Sequence, residues 1–216
     1  MIVLTPDQRY RFTTRDGSPS DESVIRETWV ENVYQIHAGD LTETRVFIDI
    51  GANIGAVSVY AASLGARVIA VEPEPENLHY LFRNLTGNDV DDAVRVHQLA
   101  VSAARGRASI TASHGNSRLD PAGLGFDVET ITLADVFTLN GLDSCDVVKI
   151  DIEGSERDVI AGATLDTLRR IRYLTMEFDR ADDAEFGPMI TKLAKVFNLH
   201  VIGSPERGGY IYGRRY

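Results

Sequence analysis

The sequence predicts an α/β fold with a mostly parallel, twisted sheet covered by helices on both faces. Short runs rich in β-branched residues alternate with amphipathic stretches of helical period, an order typical of parallel sheets. A turn containing Gly51 and Gly55 joins the first clear run to the next helix, as in βα units that bind ligands. The chain has 216 residues, 44% of them hydrophobic, which suits one domain with a large core.

Five strands and a closing hairpin are predicted in order. Each strand is short, apolar and bounded by turn residues. The five are Arg45–Ile50, Val68–Val71, Val94–Val101, Val147–Ile152 and Tyr173–Phe178, and the hairpin pairs Leu199–Ile202 with Tyr210–Tyr212.

Helices are predicted between these strands. One follows the glycine turn as far as Gly65, and another begins near Pro75, which suits a first helical turn. Ser155 and Asp158 have the spacing of a capping box, and a later helix carries an apolar face from Phe186 to Phe197.

Two segments do not follow this alternation. Residues 5–22 are polar and contain Pro6, Gly17 and Pro19, so a loose arm is predicted there, before a helix at residues 23–34. Residues 111–126 predict a long surface loop. Because long loops in compact domains are usually functional, this loop is a candidate lid.

The charge balance restricts the partners. A net charge of −10 repels phosphate, so nucleic acid and anionic membrane surfaces are not expected partners. We expect no signal peptide and no membrane span, because no apolar run approaches the ~20 residues that a bilayer requires. With Cys145 as its one cysteine, the chain forms no internal disulfide, and a cytoplasmic location is predicted. The oligomeric state is left open.

Acidic residues end two successive strands beside the glycine turn. Asp49 closes the first strand and suits a cationic ligand, while Glu72 closes the second at the spacing of a carboxylate that binds a ribose diol. Asn53 stands where dinucleotide sites have their second glycine, which weighs against a dehydrogenase. The alternative is a plain strand-to-helix corner in which these carboxylates only cap helices.

A second charged group ends the fourth strand. By alternation, Lys149, Asp151 and Glu153 share one side. Charge at the end of an apolar central strand is costly unless it is paired or used. Lys149 is equally well explained as half of a structural ion pair, whereas Asp151 is favoured as a functional residue.

Four segments together resemble the FkbM-type methyltransferases. They are Phe47–Gly55, Glu72–Pro75, Leu99–Ser102 and Lys149–Glu156, and the match runs from about Val46 to Phe178. The resemblance implies a Rossmann-like class I methyltransferase fold with seven strands, the last one antiparallel. It also implies S-adenosylmethionine (SAM) as methyl donor and, most often, a hydroxyl of a small molecule as acceptor.

The resemblance also assigns residues. Methionine-end, ribose and adenine contacts are implied for Asp49, Gly51, Ala52, Asn53, Gly55, Glu72, Pro73, Ala100, Val101 and Asp151. It implies a methyltransferase domain at residues 41–216, and residues 1–40, an arm and helix, are then a candidate cover for the acceptor.

Methyl transfer to an alcohol needs a base near the acceptor. Asp151 is the leading candidate and His114, in the polar loop, is the second. Glu153 and Glu177 are expected to bind the acceptor. A Mg²⁺ ion at Asp151, Glu177 and Asp179 is considered but not favoured, because no dedicated ligand spacing is present.

Three other functions remain open at this point. They are an NAD-dependent oxidoreductase, a non-catalytic nucleoside-binding module and an RNA-modifying methyltransferase. The acidic charge disfavours the last of these.

Overall fold

The computed structural model describes residues 1–42, 45–111, 118–119, 125–179 and 183–216. Its strands, in chain order, are β1 Ile2–Leu4, β2 Arg11–Thr13, β3 Val46–Ile50, β4 Arg67–Val71, β5 Val94–His97, β6 Ala100–Val101, β7 Gly106–Thr111, β8 Arg118–Leu119, β9 Phe126–Ile131, β10 Cys145–Ile150, β11 Ile171–Phe178, β12 Phe197–Ser204 and β13 Gly208–Arg215. The α-helices are α1 Pro19–Arg26, α2 Ala56–Ser63, α3 Pro75–Gly87, α4 Leu133–Leu139, α5 Glu156–Gly162, α6 Leu165–Arg169 and α7 Asp183–Leu193.

Seven strands form the central sheet, in the order β12-β13-β11-β10-β3-β4-β5. Neighbours from β11 to β5 pair in parallel, and β13 runs antiparallel to both β11 and β12. The predicted α/β fold with a last antiparallel strand is therefore confirmed. Because β3 and β10 lie in the middle of the sheet, their carboxyl ends meet at the edge where parallel sheets bind ligands.

Helices cover both faces of this sheet. On one face, α4, α5, α6 and α7 pack on strand side chains that include Val148 and Leu174. On the other, α1, α2 and α3 pack on Phe47, Val147 and Tyr173. Every residue of β10 is buried, as expected of a central parallel strand covered on both sides.

The N-terminal segment is more ordered than the sequence predicted. β1 and β2 form a hairpin, and α1 begins at Pro19, whose preceding residue Ser18 accepts a hydrogen bond from the backbone N–H of Asp21. A π-helix, Glu27–Glu31, follows directly. The prediction of a loose arm at 5–22 was therefore wrong. The helix predicted at 23–34 begins earlier, at Pro19, whose fixed φ suits a helix start, and its helical residues continue to Glu31.

The predicted third strand is divided. β5 ends at His97, and Ala100–Val101 pair instead with β9 in a smaller sheet of order β6-β9-β7-β8. Residues 111–126 were predicted to be a loop, but β7 ends and β9 begins within this range, and β8 lies between them. The rest of this range, including His114, lies outside the described residues.

The predicted capping box is also absent. Ser155 precedes α5 but its side chain makes no capping hydrogen bond. Instead, the carboxylate of Glu156 accepts hydrogen bonds from the backbone N–H groups of Ile152 and Gly154. Glu156 therefore fixes the turn between β10 and α5. Across the described part of the chain, no helix has the length and apolar character that a membrane span requires.

Candidate functional site

A cleft opens at the carboxyl edge of β3, β4 and β10. Its empty volume is about 620 Å³, including space open to solvent. The lining residues are Ile50, Gly51, Asn53, Val71, Glu72, Pro73, Asn77, Leu99, Ala100, Val101, Ile110, Asp151, Ile152, Glu153 and Ser155. The structure thus brings the two charged motifs and the Leu99–Val101 segment into one concave site.

Gly51 sets the width of this cleft. Its φ is +79°, and a Cβ at this position would lie 1.8 Å from the backbone oxygen of Asp151. Only glycine combines this φ with such close approach of the β10 backbone. Its N–H donates to the carbonyl oxygen of Val71, 2.9 Å away, so the turn is tied to β4 as well. A side chain at residue 51 would displace both the turn and the floor of the cleft.

Glu72 is held at the rim by three donors. Its Oε1 accepts from the N–H of Glu74 at 2.9 Å and from Nδ2 of Asn77 at 3.2 Å, while Oε2 accepts from the N–H of Asn53 at 2.8 Å. Burial raises the pKa of this carboxyl, and the N–H groups of Glu74 and Asn53 act in the opposite direction. Each carboxylate oxygen accepts about two hydrogen bonds, so Oε2 can accept one more from a ligand.

Apolar side chains form the part of the cleft beyond Glu72. They belong to Pro73, Leu99, Val101, Ile110 and Ile152. Ile110 comes from β7, which the sequence analysis did not predict, and Asn77 was also missed because α3 was interpreted as packing only. A flat apolar ring is suited to such a slot.

Lys149 connects the two charged motifs below the cleft. Its Nζ donates to the carbonyl oxygen of Gly51 at 2.7 Å and lies 3.4 Å from Oδ1 of Asp49 and 3.5 Å from Oδ2 of Asp151. Burial of the amine works to lower the pKa of Lys149, but the carboxylates of Asp151 and Asp49 hold it above its ordinary value. Lys149 is thus a buried cation shared by two carboxylates and the glycine turn.

Asp49 lies below the cleft instead of lining it. The side chain is fully buried, and its Oδ2 accepts from Oγ of Ser58 at 2.7 Å. Ala52 and Gly55 are likewise missing from the lining; Gly55 has a φ of 88° and precedes α2. Lys149 and Ser58 draw the Asp49 side chain inward. The donor contacts that the resemblance implies for Asp49, Ala52 and Gly55 stay predictions.

Tyr34 reaches the same site from the N-terminal segment. Its hydroxyl donates to Oδ2 of Asp151 at 2.7 Å, and its ring lies 5.4 Å from Nζ of Lys149. Burial and the charge of Asp151 raise the pKa of Tyr34 well above its ordinary value, so the phenol is a hydrogen-bond donor at neutral pH. This contact was not predictable from the sequence, because the two residues are 117 positions apart.

Glu177 ends β11 beside Asp151. Ile150 pairs with Met176 in the parallel register, so the next residue of each strand lies at the same edge. Burial, followed by the charges of Asp151 and Glu153, raises the pKa of Glu177 to about 8, against the opposing effect of Lys149. Glu153 lines the cleft, and its predicted contact with the acceptor stays a prediction. Its φ of 57° belongs to the turn that Glu156 holds.

Metal ligation finds no support in the described residues. Among them, no three His, Cys, Asp or Glu side chains are grouped so as to hold an ion. The candidate base His114 is not among the described residues, so its position in the site is not assigned.

Comparison with known proteins shows the family to which the chain belongs. Residues 49–212 match the family model described as "Methyltransferase FkbM domain". The chain is 30% identical over 198 residues to the 31-O-demethyl-FK506 methyltransferase FkbM of Streptomyces tacrolimicus, an alignment that spans 74% of this chain and 75% of the relative. It is 25% identical over 226 residues to the hexuronic acid methyltransferase AglP of Haloferax volcanii, spanning 100% of this chain and 89% of that one.

A solved structure shares the fold. The methyltransferase FkbM of Methylobacillus flagellatus superposes with a TM-score of 0.54 at 17% identity, over 93% of this chain and 56% of that one. This likeness concerns the Rossmann-like methyltransferase fold alone.

Proposed function

The chain belongs to the FkbM family of SAM-dependent methyltransferases, and from this premise we propose that it methylates a hydroxyl group of a small molecule. The observation that carries the proposal is the carboxylate of Glu72, which three donors hold at the rim of the cleft beside the turn at Gly51. This arrangement supports a nucleoside with a free ribose diol as the ligand.

The residues of the cleft fit the parts of SAM. Glu72 has an oxygen free to accept from the ribose, and the apolar slot of Pro73, Leu99 and Val101 suits an adenine ring. Gly51 and Asp151 pack closely together and both line the cleft, so the methionine end can contact the two residues at once. We assign that end to Gly51, Asn53 and Asp151, whose carboxylate suits the positive charge of the donor. In this assignment Asp49 does not contact the donor; it holds the ammonium of Lys149 beneath the cleft.

The donor supplies a methyl group activated on a sulfonium, and the protein supplies position and charge. Tyr34 and Lys149 fix the Asp151 carboxylate at the cleft, so its orientation is set before an acceptor arrives. Most of the rate enhancement of a displacement at carbon comes from such positioning.

The acceptor is inferred from the relatives and from charge. One relative is named for a 31-O position, which supports an oxygen of a small molecule as the acceptor. Another is named for a hexuronic acid, which carries both hydroxyl and carboxyl oxygens. The net charge of −10 disfavours nucleic acid. We further propose that residues 1–40 cover the acceptor, since Tyr34 already contacts Asp151. Metal-independent turnover and a cytoplasmic location remain predictions; turnover abolished by EDTA would contradict the first.

The proposal is tested in two steps. Calorimetry with S-adenosylhomocysteine (SAH) and with NAD should show binding of SAH alone. Incubation with SAM and a panel of sugars, uronic acids and polyketide alcohols should then yield a product that is heavier by one methylene group in mass spectrometry. Binding of NAD in preference to SAH would contradict the proposal.

A further inference from the structure

We propose that the carboxylate of Glu177 receives the proton of the acceptor hydroxyl, a role that the sequence had suggested for Asp151 or His114. This inference rests on the proposed function. It begins with the position of Glu177 at the carboxyl end of β11, next to the end of β10 that lines the donor cleft. Strand alternation puts Glu177 on the same face of the sheet as Thr175 and Tyr173, the face that Tyr34 covers.

Asp151 is already committed to other groups. Its Oδ2 accepts from the hydroxyl of Tyr34 at 2.7 Å and lies 3.5 Å from the ammonium of Lys149. A substrate proton would have to compete with both for that oxygen. Asp151 is therefore better suited to orient the site and to face the positive charge of the donor.

Glu177 has no such commitments within the described part of the chain. No hydrogen bond to its carboxylate and no cation within 4.0 Å of it occurs among these residues, although its backbone pairs with Tyr210 on β13. The side chain is partly exposed, so it can exchange a proton with solvent between turnovers. A free carboxylate beside the donor cleft is the arrangement that a base requires.

The surroundings of Glu177 adjust its basicity. Burial and the nearby carboxylates of Asp151 and Glu153 raise its pKa to about 8, and Lys149 opposes them. General bases work best when their pKa lies near the operating pH. Several titratable groups face Glu177. They are Lys149 on β10, Asp151 and Glu153 in the turn that follows β10, Glu27 on the π-helix, Tyr34 after that helix, and Tyr210 and Tyr212 on β13.

The step balances without another reactant. The acceptor oxygen forms a bond to the methyl carbon as the carbon–sulfur bond breaks, and that electron pair stays on sulfur as the neutral thioether of SAH. The hydroxyl proton passes to the Glu177 carboxylate and from there to solvent. No oxidant, reductant or metal takes part.

A binding experiment tests the position of Glu177 without an acceptor. Sinefungin is the SAM analogue in which a carbon replaces the sulfonium sulfur and an amino group on that carbon replaces the methyl, so its ammonium occupies the region between donor and acceptor. In Glu177→Gln, calorimetry should show sinefungin affinity reduced about tenfold, the value of a charge-assisted hydrogen bond. SAH affinity should change less than twofold. Glu129→Gln removes an exposed carboxylate on β9 and should change neither.

The pH dependence adds an independent readout. The wild-type ratio of sinefungin to SAH affinity should rise about tenfold between pH 6.5 and 8.5, as Glu177 ionises, and should stay flat in Glu177→Gln. Glu177→Asp should keep part of the rise. Unchanged sinefungin affinity in Glu177→Gln would overturn the inference. Failure of the wild-type protein to bind SAH would instead overturn the proposed function.

Turnover separates the two carboxylates. On the alcohol found by the acceptor screen, Glu177→Gln should lose kcat by a factor of about 10² to 10⁴ with little change in the KM for SAM. Asp151→Asn should keep the rise of kcat with pH. If that rise disappears in Asp151→Asn and persists in Glu177→Gln, Asp151 is the base.

Discussion

Nζ of Lys149 lies 2.7 Å from the carbonyl oxygen of Gly51, so a buried cation on the central strand β10 holds the turn that opens the donor cleft. The same ammonium is shared with Asp49 and Asp151. Lys149 therefore has two roles. It neutralises the carboxylates of Asp49 and Asp151, and it positions the backbone at Gly51 that the ligand must approach.

Lys149→Met is expected to destabilise the protein by about 3–5 kcal/mol, because it leaves Asp49 buried without its cation. Urea denaturation measures this loss, and SAH affinity should fall as well. The double variant Asp49→Asn with Lys149→Met should be more stable than the single one, since the uncompensated charge is gone. If the losses of stability in Asp49→Asn and in Lys149→Met simply add in the double variant, the broken ion pair does not cause the destabilisation.

Gly51→Ala is expected to abolish SAH binding and to cost about 3 kcal/mol or more in stability. Its methyl group would enter the backbone of Asp151 at a φ of +79°. Gly187→Ala is the matched control, because nothing lies within 4 Å of its added Cβ. That variant should bind SAH normally and be equally stable or more stable. Wild-type SAH affinity in Gly51→Ala would mean that the ligand lies elsewhere.

Glu72→Gln is expected to weaken SAH binding at least tenfold, which calorimetry can measure. The glutamine NH₂ would face one of the N–H donors of Asn53, Glu74 or Asn77 and leave it without an acceptor. Glu76→Gln, in the first turn of α3 and about half exposed, should bind like the wild type. Equal affinities for the two variants would remove Glu72 from the ribose site.

Glu177→Gln is expected to be more stable than the wild type at pH 8, by at least about 2–4 °C in Tm. The folded pKa of Glu177 is raised to about 8 from an ordinary 4.5. Its contribution to stability is thus complete below pH 4.5 and is lost as the pH rises through about 8. The two proteins should have nearly equal Tm at pH 4.5. A Tm difference that does not grow with pH would show that burial does not raise this pKa.

Much of the fold was predictable because its signals are local. The apolar runs that became β3, β4 and β10 and the glycine corner were confirmed, as was the resemblance to the FkbM methyltransferases. The sheet β6-β9-β7-β8 was missed because β6 and β8 have only two residues each and because most residues of β7 are exposed or half-buried, so the pattern of a buried strand is weak there.

The site was predictable where its residues follow the ends of predicted strands or belong to the motifs of the family. Gly51, Asn53 and Glu72 follow two neighbouring strands, and their shared edge follows from the parallel order. The hydrogen bond between Tyr34 and Asp151 could not be predicted in this way. Tyr34 lies before residue 49, where the match to the family model begins, whereas Asp151 lies within that match. Nor could the sequence show that Asp49 points at Lys149 instead of the cleft, since that depends on how deeply each strand end is buried.

A crystal structure with SAH bound is the most direct test that the cleft between Gly51 and Glu72 is the donor site. We expect the ribose hydroxyls within about 3 Å of the Glu72 carboxylate, the adenine against Leu99 and Val101, and the sulfur on the side of Asp151 and Glu177. SAH bound away from Glu72, or a cleft that stays empty at saturating SAH, would contradict the account.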